Sequence, residues 1–396
     1  MSRYDMAALV GRRNTAGRQF DFWLIGAATI LLAIGLVMVA SSSITVSERL
    51  HGTPLFYFWR QSAAALIGVC LGVVVVQTPL FVWERCSAPI LIASIILLVA
   101  VLLPGIGREV NGSMRWIGLG PISLQSSEPA KLCLIAYLAG YLVRHGDKVR
   151  NSFAGFIRPI GVMTLIAGLL LLEPDYGAAA VLFATALGML FVGGIPLSRF
   201  IAWMTVAIAA LGSLALLSPY RVQRLVSFMD PWQDPFNTGF QLTQALIAFG
   251  RGEWLGVGLG GSVQKLFYLP EAHTDFLFAV LAEELGLAGS VFVIVLYSFI
   301  IWRALVIAGI AEQSGKMFSA YLAYGIGLLL GLQSFVNIGV NMGLLPTKGL
   351  TLPLMSYGSN SMVVSCVLIA LLIRVESENH EVRRRQLPEA TTQYAA

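Results

Sequence analysis

Residues 22–40 have the sequence FWLIGAATILLAIGLVMVA, a run of 19 residues without a charged side chain. An α-helix of this length spans roughly 30 Å, which is the thickness of the hydrocarbon core of a bilayer. Comparable apolar runs recur to the end of the chain, and 57% of its 396 residues are hydrophobic while 12% are charged. Ordinary soluble domains contain about 45–50% apolar residues. The composition therefore predicts an integral membrane protein.

The apolar runs predict an all-α, polytopic membrane protein with ten transmembrane helices, forming one membrane domain over residues 22–374. Four arginines precede the first run, as in a signal peptide, but the run is longer than a typical signal-peptide core. We therefore expect a retained membrane anchor. The ten predicted spans are residues 22–40, 58–76, 88–103, 130–143, 157–172, 177–194, 200–217, 276–302, 318–345 and 354–373.

The distribution of Lys and Arg predicts the orientation of the chain in the membrane. Cytoplasmic termini place more of these residues inside than outside, which the positive-inside rule favours. This orientation makes residues 1–21 a cytoplasmic arm, residues 375–396 a disordered cytoplasmic tail and residues 218–275 a large periplasmic loop. The loop contains an amphipathic stretch at residues 240–249, so we expect it to fold back onto the membrane surface.

The same composition argues against several classes of function. The net charge of +5 would suit nucleic acid, but the basic residues lie mainly in short loops between apolar runs, so no nucleic-acid partner is expected. The four cysteines lie in or beside apolar segments without a CxxC spacing, and the four histidines are scattered. Neither pattern predicts a disulfide framework or a protein-bound metal site.

Ionisable residues cluster where the long loop re-enters the membrane, in the sequence LPEAHTDF at residues 269–276. A carboxylate at this boundary is partly desolvated, which raises its pKa and makes Asp275 a candidate general base. Alternatively, Asp275 caps the eighth helix, because Asp at a helix start accepts backbone N–H bonds. The two roles are compatible, and His273 is the one histidine near these groups.

Glu283 and Glu284 follow Asp275 by eight and nine positions, which is roughly 12–14 Å along a helix. That distance is too long for a carboxylate pair that acts directly with Asp275. Buried charges in a membrane helix are costly and need a partner or a wet cavity. We therefore favour structural pairing that holds the cavity over proton transfer by these two residues.

A second polar group lies in the predicted external loop at residues 104–127 and just beyond it. Glu128 and Lys131 are three residues apart, so they share a helix face and can form an ion pair. Alternatively, Lys131 and Arg115 neutralise a phosphate-rich headgroup, Arg through bidentate bonds and Lys as a point charge. The sequence Glu173-Pro174-Asp175 predicts a tight turn.

Two glycine patterns have structural interpretations. Residues 256–261 have the sequence GVGLGG, but no strand and crossover helix surround them as in a phosphate-binding loop. We interpret them as a flexible loop that lets the backbone approach the membrane or a substrate. Gly327 and Gly331 form a GxxxG pattern in the ninth span, which predicts a helix-packing contact.

The chain resembles the FtsW/RodA family of shape, elongation, division and sporulation (SEDS) proteins from residue 22 to residue 374. The stretch GLLPTKGLTLPLMSY at residues 343–357 is similar to the division members of that family. One departure is SYGSNS at residues 356–361, where the family usually has SYGGSS. The most specific blocks are GSMRWI at 112–117, EPAK at 128–131, GFQ at 239–241, QK at 264–265, LPE at 269–271, DF at 275–276 and EELG at 283–286.

The resemblance implies a peptidoglycan glycosyltransferase of the bacterial inner membrane that joins lipid II into β-1,4 glycan strands at the division septum. It also implies a cognate class B penicillin-binding transpeptidase of the FtsI type and further division partners, FtsQ, FtsL and FtsB. A divalent cation, Mg²⁺ or Mn²⁺, could assist, but the sequence identifies no ligands for it. Two alternatives stay open: a lipid II flippase that forms no bond, and a catalytically silent division scaffold.

The resemblance also assigns site residues. The position of Asp275 matches the family's essential aspartate, and Glu128 and Lys131 match residues that line the same cavity. We expect Asp275 to be the general base, and Arg115 and Lys131 to stabilise the leaving pyrophosphate. The expected substrate-binding residues are Arg115, Glu128, Lys131, Gln264, Lys265, His273, Glu283 and Glu284.

Overall fold

The computed structural model describes residues 20–110, 113–120, 122–216, 219–347 and 349–392. Most of the predicted arm at residues 1–21 lies outside these ranges, as does Lys348. The helices of the described part are α1 (Phe22–His51), α2 (Phe56–Gln77), α3 (Leu80–Leu102), α4 (Ser127–Asn151), α5 (Phe153–Leu172), α6 (Tyr176–Val192), α7 (Leu197–Leu216), α8 (Pro219–Met229), α9 (Phe240–Gly252), α10 (Leu277–Gln313), α11 (Met317–Asn341) and α12 (Ser359–Thr392).

A helix coincides with each of the ten predicted spans, which confirms a mainly helical membrane protein. Within the described residues, seven helices are long and apolar enough to cross a bilayer: α1, α2, α3, α5, α10, α11 and the first part of α12. Helix α4 carries charged residues that lower its hydrophobicity, and α6 is short, at 17 residues. The count of ten spans therefore stays a prediction.

The expected all-α fold is wrong at residues 107–125. A three-stranded antiparallel sheet occupies much of the predicted external loop, with strands β1 (Gly107–Val110), β2 (Ser113–Leu119) and β3 (Ile122–Gln125) in that order. Gly120 has a φ of 66°, which glycine adopts without strain, where the chain turns between β2 and β3. Strands this short give only a weak periodic signal in a sequence.

The predicted boundary of the disordered tail at residue 375 is also wrong. Helix α12 continues to Thr392, and Glu376, Ser377 and Asn379 are buried. The side-chain amide of Asn379 donates to the carbonyl oxygen of Ile307 at 3.2 Å. Because these polar residues are buried in a helix, and Asn379 binds a neighbouring helix, the low hydrophobicity of the segment does not mark disorder.

Small residues allow close approach where the long helices cross. A Cβ placed on Gly327 would lie 3.1 Å from the Cβ of Ala304, and one placed on Gly331 would lie 3.4 Å from Ile301. These contacts join α11 to α10 and confirm the packing role predicted for the GxxxG pattern.

Helix α10 is broken at Gly286, where φ is 67° and ψ is −164°. The loop segment at residues 253–258 lies against this break and supplies backbone hydrogen bonds in both directions. These bonds pair backbone groups that the break leaves without helical partners. The loop therefore satisfies the hydrogen-bonding groups of the broken helix. The bonds run from Val257 N to Glu283 O, Gly258 N to Glu284 O, Leu287 N to Glu253 O and Ala288 N to Trp254 O.

Part of the glycine-rich loop therefore lies against α10, and its approach to the membrane or a substrate stays a prediction. A Cβ placed on Gly256 would lie 2.1 Å from the carbonyl oxygen of Glu284, and Gly256 has a φ of 79°. A Cβ placed on Gly252, at the end of α9, would lie 1.9 Å from the carbonyl oxygen of Ala282. Only glycine fits at these two points of backbone contact.

Candidate functional site

Asp275 lies two residues before the first residue of α10, and Phe276 is the N-cap residue of that helix. The backbone carbonyl oxygen of Asp275 accepts hydrogen bonds from the side-chain amides of Asn337 at 3.0 Å and Asn341 at 2.9 Å. Two buried amides of α11 thus fix the backbone of Asp275.

The carboxylate of Asp275 is half-buried and lies beside bare backbone. A Cβ placed on Gly349 would lie 3.1 Å from Oδ2 of Asp275, which is closer than such atoms normally approach. The absence of a side chain at position 349 therefore leaves the space that this carboxylate occupies.

The amides that hold Asp275 belong to a polar stripe on α11 made of Gln333, Asn337 and Asn341. Residues four apart on a helix share a face, and all three are buried. Asn337 also donates to the carbonyl oxygen of Leu350. Sequence reasoning missed this stripe, although three amides at regular spacing in an apolar helix are costly in a membrane and mark a functional or structural need.

Glu128 and Lys131 form the predicted ion pair, with Nζ and Oε1 2.8 Å apart and both residues buried. Nζ of Lys131 also donates to Gln333 at 3.0 Å. The side-chain amide of Gln333 in turn donates to the carbonyl oxygen of Thr351 at 2.9 Å. The ion pair is therefore connected through α11 to the segment that contains Gly349.

Arg115 lies on β2 and binds the predicted turn at residues 173–175. Its Nε donates to the carbonyl oxygen of Glu173 at 3.2 Å, and Nη2 donates to that of Pro174. Nη1 lies 4.0 Å from Oδ1 of Asp175. Arg115, Glu173, Pro174 and Asp175 thus form one group of contacts, the Arg115 cluster.

Glu173 is the buried acid of this turn. Oγ of Ser126 donates to its Oε2 at 2.9 Å. The pKa of Glu173 is raised to about 8, mainly by burial; the Ser126 hydrogen bond and Arg115 lower it, and Asp175 raises it. The carboxyl group can therefore hold a proton near neutral pH, but it lies in the Arg115 cluster.

Lys265 and Glu284 form a buried ion pair between the long loop and α10. Nζ of Lys265 lies 2.8 Å from Oε1 of Glu284, and Oγ of Ser41 on α1 donates to Oε1 of Glu284 at 2.7 Å. This bonding ties the loop to two helices and matches the structural pairing predicted from the sequence.

Glu283 holds the next part of the same loop. Its carboxylate accepts hydrogen bonds from Ser262 Oγ, Val263 N and Gln264 N, and Arg251 lies 3.4 Å away. The side-chain oxygen of Gln264 is buried without a hydrogen-bond partner among the described residues. Glu283 is thus an anchor of the loop backbone.

We expect Lys265→Met to destabilise the protein by about 3–5 kcal/mol, because it leaves Glu284 as an uncompensated buried charge. Adding Glu284→Gln should recover much of the loss. Thermal unfolding of the purified protein in detergent measures both variants. Equal unfolding temperatures for the single and double variants would contradict this interpretation.

His273 packs in an aromatic cluster with Tyr57 and Tyr357. Its ring centroid lies 4.8 Å from that of Tyr57 and 5.5 Å from that of Tyr357. Burial lowers the pKa of His273, and the nearby Glu271 partly opposes this effect. The imidazole is thus biased toward its neutral form two residues before Asp275.

The departure at residues 359–360 has a partial structural account. The side-chain amide of Asn360, in the first turn of α12, donates to the carbonyl oxygen of Ser123 on β3 at 2.8 Å. Asn360 therefore joins α12 to the small sheet. Nothing in the structure explains Ser359.

The described residues contain no group of three His, Cys, Asp or Glu side chains that could hold a metal ion.

The structure gathers the predicted residues into separate groups. Asp275 connects through α11 to Glu128 and Lys131, Arg115 binds the turn at 173–175, and Lys265, Glu283 and Glu284 shape the loop.

The family model described as "Cell cycle protein", for FtsW, RodA and SpoVE, matches residues 22–381. The "Probable peptidoglycan glycosyltransferase FtsW" of Nitrosococcus halophilus is 56% identical over 371 residues, covering 93% of this chain and 96% of the relative. The protein of the same name from Hahella chejuensis is 52% identical over 370 residues, covering 93% of each chain.

Two solved structures have the same fold. One comes from work on "Structural coordination of polymerization and crosslinking by a peptidoglycan synthase complex", with a TM-score of 0.75 and 28% identity over 91% of this chain and 98% of that chain. The other is the rod shape determining protein RodA of Thermus thermophilus, with a TM-score of 0.67 and 27% identity over 90% of this chain and 96% of that chain.

Proposed function

The chain belongs to the FtsW, RodA and SpoVE family of cell cycle proteins, and from this membership we propose that it is a peptidoglycan glycosyltransferase that polymerises lipid II. Relatives named for this activity are 52% and 56% identical and cover more than nine-tenths of the chain. The observation that carries the catalytic part of the proposal is the half-buried Asp275 carboxylate, fixed through its backbone by Asn337 and Asn341.

In the proposed reaction, Asp275 removes the proton from the 4-hydroxyl of the acceptor sugar. The acceptor oxygen forms a bond to the anomeric carbon of the donor while the bond from that carbon to the pyrophosphate breaks. The polyprenyl pyrophosphate leaves with the electron pair, and the proton on Asp275 passes to solvent. The hydrogen bonds to the Asp275 backbone hold the base in place, which favours proton transfer through orientation.

Arg115 and Lys131 contribute less directly than the sequence suggested. Lys131 is neutralised by Glu128 and bound by Gln333, and Arg115 binds the turn at residues 173–175. We therefore propose that both position the segments around the site. A divalent cation bound with the substrate's phosphates would offset their charge, and no step above depends on one.

The proposal includes the setting of the reaction. The ten helices that coincide with predicted spans support ten membrane crossings with cytoplasmic termini and a periplasmic loop. The expected partner is a class B penicillin-binding transpeptidase of the FtsI type, since a structural neighbour comes from a complex of polymerization and crosslinking. FtsQ, FtsL and FtsB at the septum are the further expected partners.

The activity is tested with purified protein in nanodiscs and labelled lipid II, alone and with the cognate transpeptidase. We expect labelled polymer that a muramidase digests, and none from lipid II whose 4-hydroxyl is blocked. A flippase or a silent scaffold makes no polymer from either substrate. Absence of polymer with the transpeptidase present would therefore reject the proposed activity.

A further inference from the structure

Arg60 differs from the three cations that the sequence predicts for the site. Lys131, Lys265 and Arg115 each bind acidic or carbonyl groups of the protein. In the part of the chain that the structure describes, the guanidinium of Arg60 makes no hydrogen bond or ion pair and lies over the ring of Phe56, with 5.6 Å between Cζ and the centroid. Its donors are therefore available to a ligand.

Arg60 also lines an open cavity of about 570 Å³ on the surface at the start of α2. This volume is in the range of small-molecule sites. Its remaining lining is mainly apolar, and Trp59 is 65% exposed there. A cavity with apolar walls and one cation suits an anionic group attached to a hydrocarbon chain. The other lining residues are Thr53, Pro54, Leu55, Phe56, Trp59 and Ala63.

The turn of α2 that carries Arg60 also contacts the segments around Asp275. Tyr57, one helical turn before Arg60, contacts His273 with 4.8 Å between ring centroids. Gln61, the next residue after Arg60, donates to the carbonyl oxygen of Ser356 at 2.9 Å and accepts from Gly358 N at 3.2 Å. The first turns of α2 are therefore fixed against both segments that flank the site.

We propose that Arg60 binds the pyrophosphate of a polyprenyl-linked sugar, with the apolar wall of this cavity receiving the first part of the prenyl chain. The inference rests on the proposed function, which supplies this class of substrate. The planar fork of Arg gives bidentate bonds to phosphate oxygens. Charge complementarity favours this occupant, because the pyrophosphate supplies the anionic partner that Arg60 does not have among the described residues.

Binding is measured with Arg60→Gln, Arg60→Lys and the wild type in phosphatidylcholine nanodiscs, using polyprenyl pyrophosphate and the corresponding prenyl alcohol as probes. We expect Arg60→Gln to weaken pyrophosphate binding about 10- to 100-fold, as for loss of hydrogen bonds to a charged group, and to leave alcohol binding unchanged. Arg60→Lys should bind the pyrophosphate more tightly than Arg60→Gln and less tightly than the wild type. Arg49→Gln is the matched control, because Arg49 is an exposed cation at the end of α1 that lies over Phe267.

Equal pyrophosphate binding by Arg60→Gln and the wild type would overturn the proposal. Equal competition by phosphatidylglycerol would overturn it too, because the cavity would then be a general headgroup site. If Arg60→Gln fails to fold, a second measurement uses Arg60→Lys and the wild type. In both proteins, inorganic pyrophosphate competes with the polyprenyl probe for binding. Weaker competition in Arg60→Lys supports the inference, and equal competition in the two proteins rejects it.

The source of the pyrophosphate is identified by polymerisation with a preformed short glycan lipid as donor and lipid II as acceptor. A raised KM for the donor assigns Arg60 to the leaving pyrophosphate, and a raised KM for lipid II assigns it to the acceptor. Unchanged KM for both overturns the inference while the polymerase activity stands. Pyrophosphate binding without polymer from the wild type rejects the polymerase and leaves the site in place.

Discussion

Replacing Asp275 by Asn is expected to lower the rate of lipid II polymerisation by about 10²–10⁴-fold, the usual contribution of a general base. The amide is isosteric with the carboxylate but cannot accept the proton of the acceptor hydroxyl. The fold should persist, because Asn337 and Asn341 bind the backbone oxygen of residue 275 and not its side chain. Polymer formation from labelled lipid II over time measures the rate.

The matched control for this prediction is Glu48→Gln, which removes an exposed acid at the end of α1. It should polymerise lipid II at the wild-type rate. Asp275→Glu keeps an acid but moves it by one methylene, so it should retain more activity than Asp275→Asn. A wild-type rate for Asp275→Asn would reject the general-base role.

Gly252→Ala is expected to destabilise the protein by more than about 4 kcal/mol, at the extreme of single substitutions. The new Cβ would lie 1.9 Å from the carbonyl oxygen of Ala282, so α9 must move away from α10. That movement would also disturb the loop that Glu283 holds. Thermal unfolding in detergent, followed by size-exclusion chromatography, measures the effect.

Gly250→Ala is the control in the same helix. Nothing lies within 4 Å of a Cβ placed there, and Ala is favoured over Gly in a helix by about 0.5–1 kcal/mol. The two substitutions should therefore shift the unfolding temperature in opposite directions. Similar shifts for both would show that α9 does not pack against α10 at Gly252.

The sequence predicts those features that depend on local pattern. Long apolar runs place the helices, the three-residue spacing gives the ion pair of Glu128 and Lys131, and the GxxxG pattern gives the packing of α11. Each of these features needs only the geometry of one helix and the low polarity of lipid.

Features that depend on distant contacts were not predicted. Asn337 binds the carbonyl oxygen of a residue 62 positions away, and Asn360 binds one 237 positions away. An amide in an apolar helix shows that a partner is needed but not which one. The pairing of the small sheet and the bond from Asn379 to Ile307 depend on such contacts too.

The backbone bonds between residues 253–258 and the break in α10 also affect how this region opens. Neither partner can separate without breaking several backbone hydrogen bonds at once. The loop and the broken helix therefore form one cooperative unit, with a common free energy of opening and amide protons that exchange together. A long segment between two helices would otherwise be expected to fluctuate on its own, but here its rigidity is set by the long apolar helix α10.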